Sequence, residues 1–196
     1  MQKERALMFL KLAVNYFQLV ENVANEIIKQ GNKFIIMSKH ELTPDEREEK
    51  TKWNDYKIVE PFFFNYYHGV ELMLKGFLLS QSVDVIKHNH KIEKLYKEFC
   101  KYFPNHNIII GILNKYLGLN IKLVEPLNTF FTKNNISVDN YYIALKYPES
   151  HNTIIKYDYD SLKFKGGKAI EFYKQLSQDI SSMMKESVSF GRNNLS

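Results

Sequence analysis

The stretch Tyr66-Tyr67-His68-Gly69-Val70-Glu71-Leu72-Met73-Leu74-Lys75-Gly76-Phe77-Leu78-Leu79 sets an imidazole, a carboxylate and an ammonium into an apolar run. His68, Glu71 and Lys75 are spaced i, i+3 and i+7, which lines them up along one side of a helix. Core helices exclude unpaired charges because desolvating them is costly or forces a change of protonation. A cluster of this kind is suited to a groove between helices, where it holds an RNA phosphate or a nucleotide. The architectural alternative is an i, i+4 pair between Glu71 and Lys75, worth about 0.2–0.5 kcal/mol at a surface, or a tie to a neighbouring helix.

A second polar segment follows, His88-Asn89-His90-Lys91-Ile92-Glu93-Lys94-Leu95-Tyr96. His88 and His90 could ligate a metal, but no Asp, Cys or third His stands at ligand spacing, so no metal site is assigned. An N-terminal helix cap or an interhelical hydrogen bond suits His90 better. The aromatic stretch Phe62-Phe63-Phe64 with Tyr66-Tyr67 could stack bases, although helical spacing buries most of it.

These side chains need helices to position them. Leu7, Leu10, Val14, Phe17, Ala24 and Ile28 recur at helical spacing, which predicts a helix over about 3–30 stopped by Gly31. A connection over 31–53 carries the charged run Glu41–Lys50, where Thr43 or Asp45 beside Pro44 can start a helical turn. The second long helix starts near Asn54, or at Pro61, and runs to Gln81 with Phe63, Tyr67, Val70, Leu74 and Phe77 on its buried stripe. Further helices are predicted over about 91–102, 105–117 and 120–132, the last interrupted by Pro126. Residues 139–145 suit one or two helical turns. The β-branched and aromatic segment 153–159 reads as extended, a short ribbon insertion near 152–166. Gly166-Gly167 leads into a final helix over about 168–189. The expectation is one all-α domain over 1–196, an up-and-down bundle of five or six helices with core segments 3–30, 54–133 and 168–189 and an insertion over 134–167. Consecutive long helices should be antiparallel.

Composition narrows the classes. The 196 residues suit one domain, and a hydrophobic content of 44% with 14% aromatics supports a sizeable core. The single cysteine, Cys100, excludes an intramolecular disulfide and reads as a buried inert thiol in a cytoplasmic protein. The net charge of +5 permits nucleic-acid binding, but the only arginines are Arg5, Arg47 and Arg192, which argues against dense base-specific readout. Lys11, Asn15 and Gln18 interrupt the first apolar run, so it reads as an amphipathic helix, not a leader, and no stretch has the length of a membrane span. A membrane-surface role for this basic first helix is a weaker alternative.

Three segments carry a family likeness. Tyr67-His68-Gly69-Val70-Glu71-Leu72-Met73-Leu74-Lys75-Gly76-Phe77-Leu78 resembles the core helix of HEPN domains, with its Glu-Leu-x-Leu-Lys pattern. His90-Lys91-Ile92-Glu93-Lys94-Leu95-Tyr96 resembles the start of the next helix in that family, and Leu145-Lys146-Tyr147-Pro148-Glu149 its Leu-Arg-Tyr-Pro element, with Lys in place of Arg. The segments occur in the family's order. The resemblance implies a four- or five-helix bundle, often a homodimer, of prokaryotic defence or toxin–antitoxin systems, working with an antitoxin or nucleotidyltransferase partner. Active members are metal-independent endoribonucleases with an Arg-x4–6-His motif, whose His acts in acid–base cleavage through the RNA 2′-hydroxyl.

This chain lacks the strict motif; Lys146-x4-His151 is the nearest substitute in the right region, and a lysine can hold a phosphate as a point charge. Lys33/His40 and Lys101/His106 also meet the loosened pattern. The candidate catalytic pair is therefore Lys146 and His151, and the candidate binding cluster His68, Glu71, Lys75, His90 and Tyr147. No cofactor is implied: the chain has no glycine-rich phosphate loop, Gly-x-Ser-x-Gly or His-Glu-x-x-His. The functional expectation is a HEPN-like RNA- or nucleotide-binding protein of a prokaryotic defence or toxin–antitoxin system, a degenerate metal-independent endoribonuclease if Lys146 and His151 act; the alternative is a non-catalytic dimeric helical interaction module that binds a protein partner.

Overall fold

The dense apolar stretch from Phe62 to Leu79 becomes the centre of an all-α fold. The computed structural model describes residues 2–85, 90–118, 123–149, 156–163 and 166–195. In chain order the helices are α1 (Gln2–Gln30), α2 (Pro44–Thr51), α3 (Asp55–Ser80), α4 (Ile92–Tyr102), α5 (Asn107–Leu117), α6 (Leu127–Lys133), α7 (Tyr141–Ala144) and α8 (Ala169–Asn194). Single 3-10 turns, Val138–Asn140 and Tyr159–Leu162, precede α7 and α8.

Helix α1 buries Ala6, Leu10, Ala13, Phe17, Val20, Ala24 and Ile27, one stripe at helical period, while Leu7, Val14 and Ile28 sit half-buried at its edges. It ends at Gly31, whose φ of 72° only glycine adopts without strain. Thr43 and Glu46 form a reciprocal capping box that starts α2, with Pro44 at the first helical position. Helix α3 starts at Asp55, so Pro61 lies inside it on an exposed face. From Tyr66 to Leu79 it is buried almost all round, and only His68 and Lys75 break the surface.

Leu10 of α1 packs against Gly76 and Phe17 against Gly69, so α1 and α3 are antiparallel. Leu7 lies against Gly191 and Asn25 bonds Ser177, which makes α1 and α8 antiparallel too. Helix α4 departs from simple alternation. Phe77 meets Phe99 and Glu71 meets His90, so α4 runs in the same sense as α3. The connection after Ser80 carries the chain back to the level of Glu71 before α4 begins, a return that helical period does not encode.

Other differences are local. Of the helix expected over 120–132, residues 120–122 lie outside the described residues, and among the others the helix is Leu127–Lys133, with Pro126 at its cap position. The last helix continues past Ser189 to Asn194. Cys100 is half-buried, not enclosed. Of the ribbon predicted near 152–166, residues 152–155 and 164–165 lie outside the described residues, and one isolated antiparallel bridge joins Glu149 to Lys156.

Candidate functional site

The α3–α4 step builds the site. Glu71 has 1% of its surface exposed, and its carboxylate is the hub of a polar cluster drawn from three elements. Lys75, one turn on, donates to Oε1 at 2.6 Å. His90, just ahead of α4, places Nδ1 3.1 Å from Oε2, and Tyr141 of α7 donates its hydroxyl to the same oxygen. His68 completes the ring at 3.9 Å.

Burial alone would raise the pKa of Glu71, but the hydrogen bonds from Lys75, Tyr141 and His90 and the Lys75 charge outweigh it and hold the carboxyl below the ordinary glutamate value. The site therefore holds an anion at neutral pH. Burial pushes the Tyr141 hydroxyl far up, reinforced by the charge of Glu71, so it stays a neutral donor. Burial also lowers the His68 imidazole, and His90 and Lys75 reinforce that against the opposing pull of Glu71. His68 Nδ1 is buried without a hydrogen-bond partner. Aromatic rings hold the imidazole in place, Tyr16 edge-on at 4.7 Å and Phe64 stacked at 6.1 Å between centroids.

The outer wall is aromatic. Tyr142 lies flat on His90, centroids 3.9 Å apart and planes 10° from parallel. Lys146 donates to the Tyr142 hydroxyl at 3.3 Å and stands 4.9 Å from that ring's centroid and 5.2 Å from that of Tyr147. The side-chain hydrogen bond to Tyr142, and then that to Tyr147, raise the Lys146 pKa, so it stays a cation.

The structure thus brings His68, Glu71, Lys75 and His90 into one cluster. Lys146 and Tyr147 lie one ring further out, on the exposed rim. His90 is the interhelical partner of Glu71, not a cap: Lys91 occupies the cap position of α4, and Asp139 accepts the Glu93 N–H from across the fold. His151, His88 and Asn89 lie outside the described residues. Sequence reasoning missed Tyr141 and Tyr142. Their only signal is a tyrosine pair beside the Leu-Lys-Tyr-Pro element, which reads equally well as core. The aromatic run behaves as its spacing predicts: Phe62, Phe63, Tyr66 and Tyr67 are buried, and half-buried Phe64 packs against Tyr142 while Tyr67 backs Tyr141 from the core.

Comparison with protein-family models, curated proteins and solved structures finds no match for this chain. Among the described residues no helix is long and apolar enough to cross a membrane, and no three His, Cys, Asp or Glu side chains are grouped to hold a metal ion.

Proposed function

We propose that this chain is a HEPN-like protein that binds RNA or a nucleotide at the crevice between α3, α4 and α7, within a defence or toxin–antitoxin system and beside an antitoxin or nucleotidyltransferase partner. The observation that carries the reading is the rim: a cation, Lys146, flanked by the Tyr142 and Tyr147 rings, beside the buried Glu71 carboxylate and its half-exposed partner His90. A lysine reads a phosphate, and an adjacent aromatic face stacks a base, at about 1–3 kcal/mol per base. The order of the three HEPN-like segments supports the same reading. The test is fluorescence anisotropy with a labelled single-stranded RNA at two salt concentrations. Lys146→Ala should weaken binding and flatten the salt dependence; wild-type protein that binds no RNA and no nucleotide overturns the reading.

A second reading, a non-catalytic dimeric interaction module, draws on α1. Met8, Leu12 and Leu19 stand 65%, 46% and 49% exposed along one face. The first half of the helix carries Lys3, Glu4, Arg5 and Lys11 and the second half Glu21, Glu26 and Lys29, so an antiparallel second copy sets a net positive half over a net negative one. Light scattering after size exclusion decides it: a dimer that Leu12→Glu converts to monomer supports this reading, and a wild-type monomer removes it.

A further inference from the structure

We infer that the groove between α1 and α8 binds a single-chain carboxylate, a medium-length fatty acid anion whose tail lies between the helices and whose head meets Lys11 and Arg192. The groove encloses about 490 Å³, within the roughly 300–1,000 Å³ usual for small-molecule sites. It shares no lining residue with the α3–α4–α7 crevice, and Met8, Leu12 and Leu19 are not among its walls. Those walls are apolar: Leu7, Leu10 and Val14 from α1 and Val188 from α8. Two residues of α8 keep the floor open. Gly191 presents no side chain, and a Cβ there would meet only Leu7 Cδ1, at 3.3 Å. Ser187 donates its hydroxyl to the Met183 carbonyl at 2.8 Å, so that proton is already engaged within the helix.

Among the described residues the lining carries two charges, Lys11 and Arg192, and both are positive. Their convergence follows from helix direction. Side chains on a helix lean toward its N-terminus, and α1 and α8 are antiparallel with Leu7 against Gly191. Lys11 therefore leans toward the level of Leu7 and Arg192 toward the level of Val188, over the same mouth. An ammonium and a guanidinium fork together suit a carboxylate head. From Leu7 to Asn15 the groove follows α1 for about 12 Å at about 1.5 Å per residue, the length of an extended chain of about ten carbons. A free phosphate would leave the apolar walls unused, and an uncharged lipid would leave the cations unmatched.

The test is a nitrogen-15 NMR titration of the full chain at pH 7 with hexanoate, octanoate and decanoate, each below its micelle concentration. Amide shifts should concentrate in residues 7–15 and 187–192, and affinity should rise about 2- to 4-fold per added methylene, as burial of the tail requires. Decyltrimethylammonium, the same tail with the opposite charge, should bind at least about 10-fold more weakly than decanoate. Lys11 and Val188 are both exposed, so substitutions there keep the fold, and the dispersed spectrum verifies it. Lys11→Gln should weaken decanoate about 3- to 5-fold, and Val188→Glu, which sets a negative charge in the mouth, at least about 10-fold. Absence of binding, equal affinity for the two head charges, shifts centred outside the groove, or variants that bind as wild type does would each overturn the assignment.

Discussion

The Asp139 carboxylate accepts the backbone N–H of Glu93 at 2.8 Å, so the first turn of α4 is capped by a residue 46 positions further along the chain. The bond fastens the turn before α7 to the start of α4 and holds Tyr141 and Tyr142 level with Glu71 and His90. No side chain at the cap position of α4 supplies an acceptor of its own.

Asp139→Ala should therefore destabilise the protein by about 1 kcal/mol, the usual worth of an N-terminal cap. Urea unfolding should show a lower midpoint with an unchanged slope. Burial first, and then the Asp139 charge, hold the Glu93 carboxyl above its ordinary pKa, so the variant should also move that group downward.

One substitution should act with opposite sign at two glycines. A Cβ on Gly76 would stand 2.7 Å from Leu10 Cγ and 3.2 Å from its backbone nitrogen, where α3 packs on α1. Gly76→Ala should cost about 1–3 kcal/mol through overpacking. At Gly111, on the exposed face of α5, nothing lies within 4 Å of the same atom. Gly111→Ala should stabilise by about 0.5–1 kcal/mol, because alanine loses less backbone entropy in a helix. Thermal unfolding of the two variants ranks them on either side of wild type.

Stability should fall on acidification in two stages. The folded pKa of His68 lies below the ordinary 6.5, so the unfolded chain takes up its proton first, and stability declines as pH drops below that value. The folded pKa of Glu71 also lies below its ordinary 4.5; its contribution is present above that value and is lost as pH falls through the folded pKa. Denaturant titrations across the pH range should show His68→Gln removing the first decline and leaving the second.

Tyr116 donates to Asp179 Oδ2 at 2.8 Å, and Lys115 reaches the same carboxylate at 3.0 Å, which joins α5 to α8 away from the candidate site. Tyr116→Phe should cost about 1.5–3 kcal/mol, the worth of a hydrogen bond to a charged group. Asp179→Ala should cost more, because it also orphans the buried Tyr116 hydroxyl. RNA affinity should be equal in both folded variants and wild type.

What the sequence determined by itself was local. Apolar residues recurring every three or four positions specify helices, so α1, α3, α4, α5 and α8 follow from spacing alone, and Thr43-Pro44 and Gly31 punctuate the chain through backbone preferences carried by single residues. The stacking of His68, Glu71 and Lys75 on one side of α3 is legible for the same reason, since helical period fixes it before any packing occurs. Only the tertiary structure decided which partners meet them. Tyr141 reaches Glu71 across 70 residues, and Tyr142 covers His90 because α4 starts beside the middle of α3 and runs along it. Such contacts depend on where loops return the chain, and a loop's path is set by the whole packed core, not by the period of any one helix.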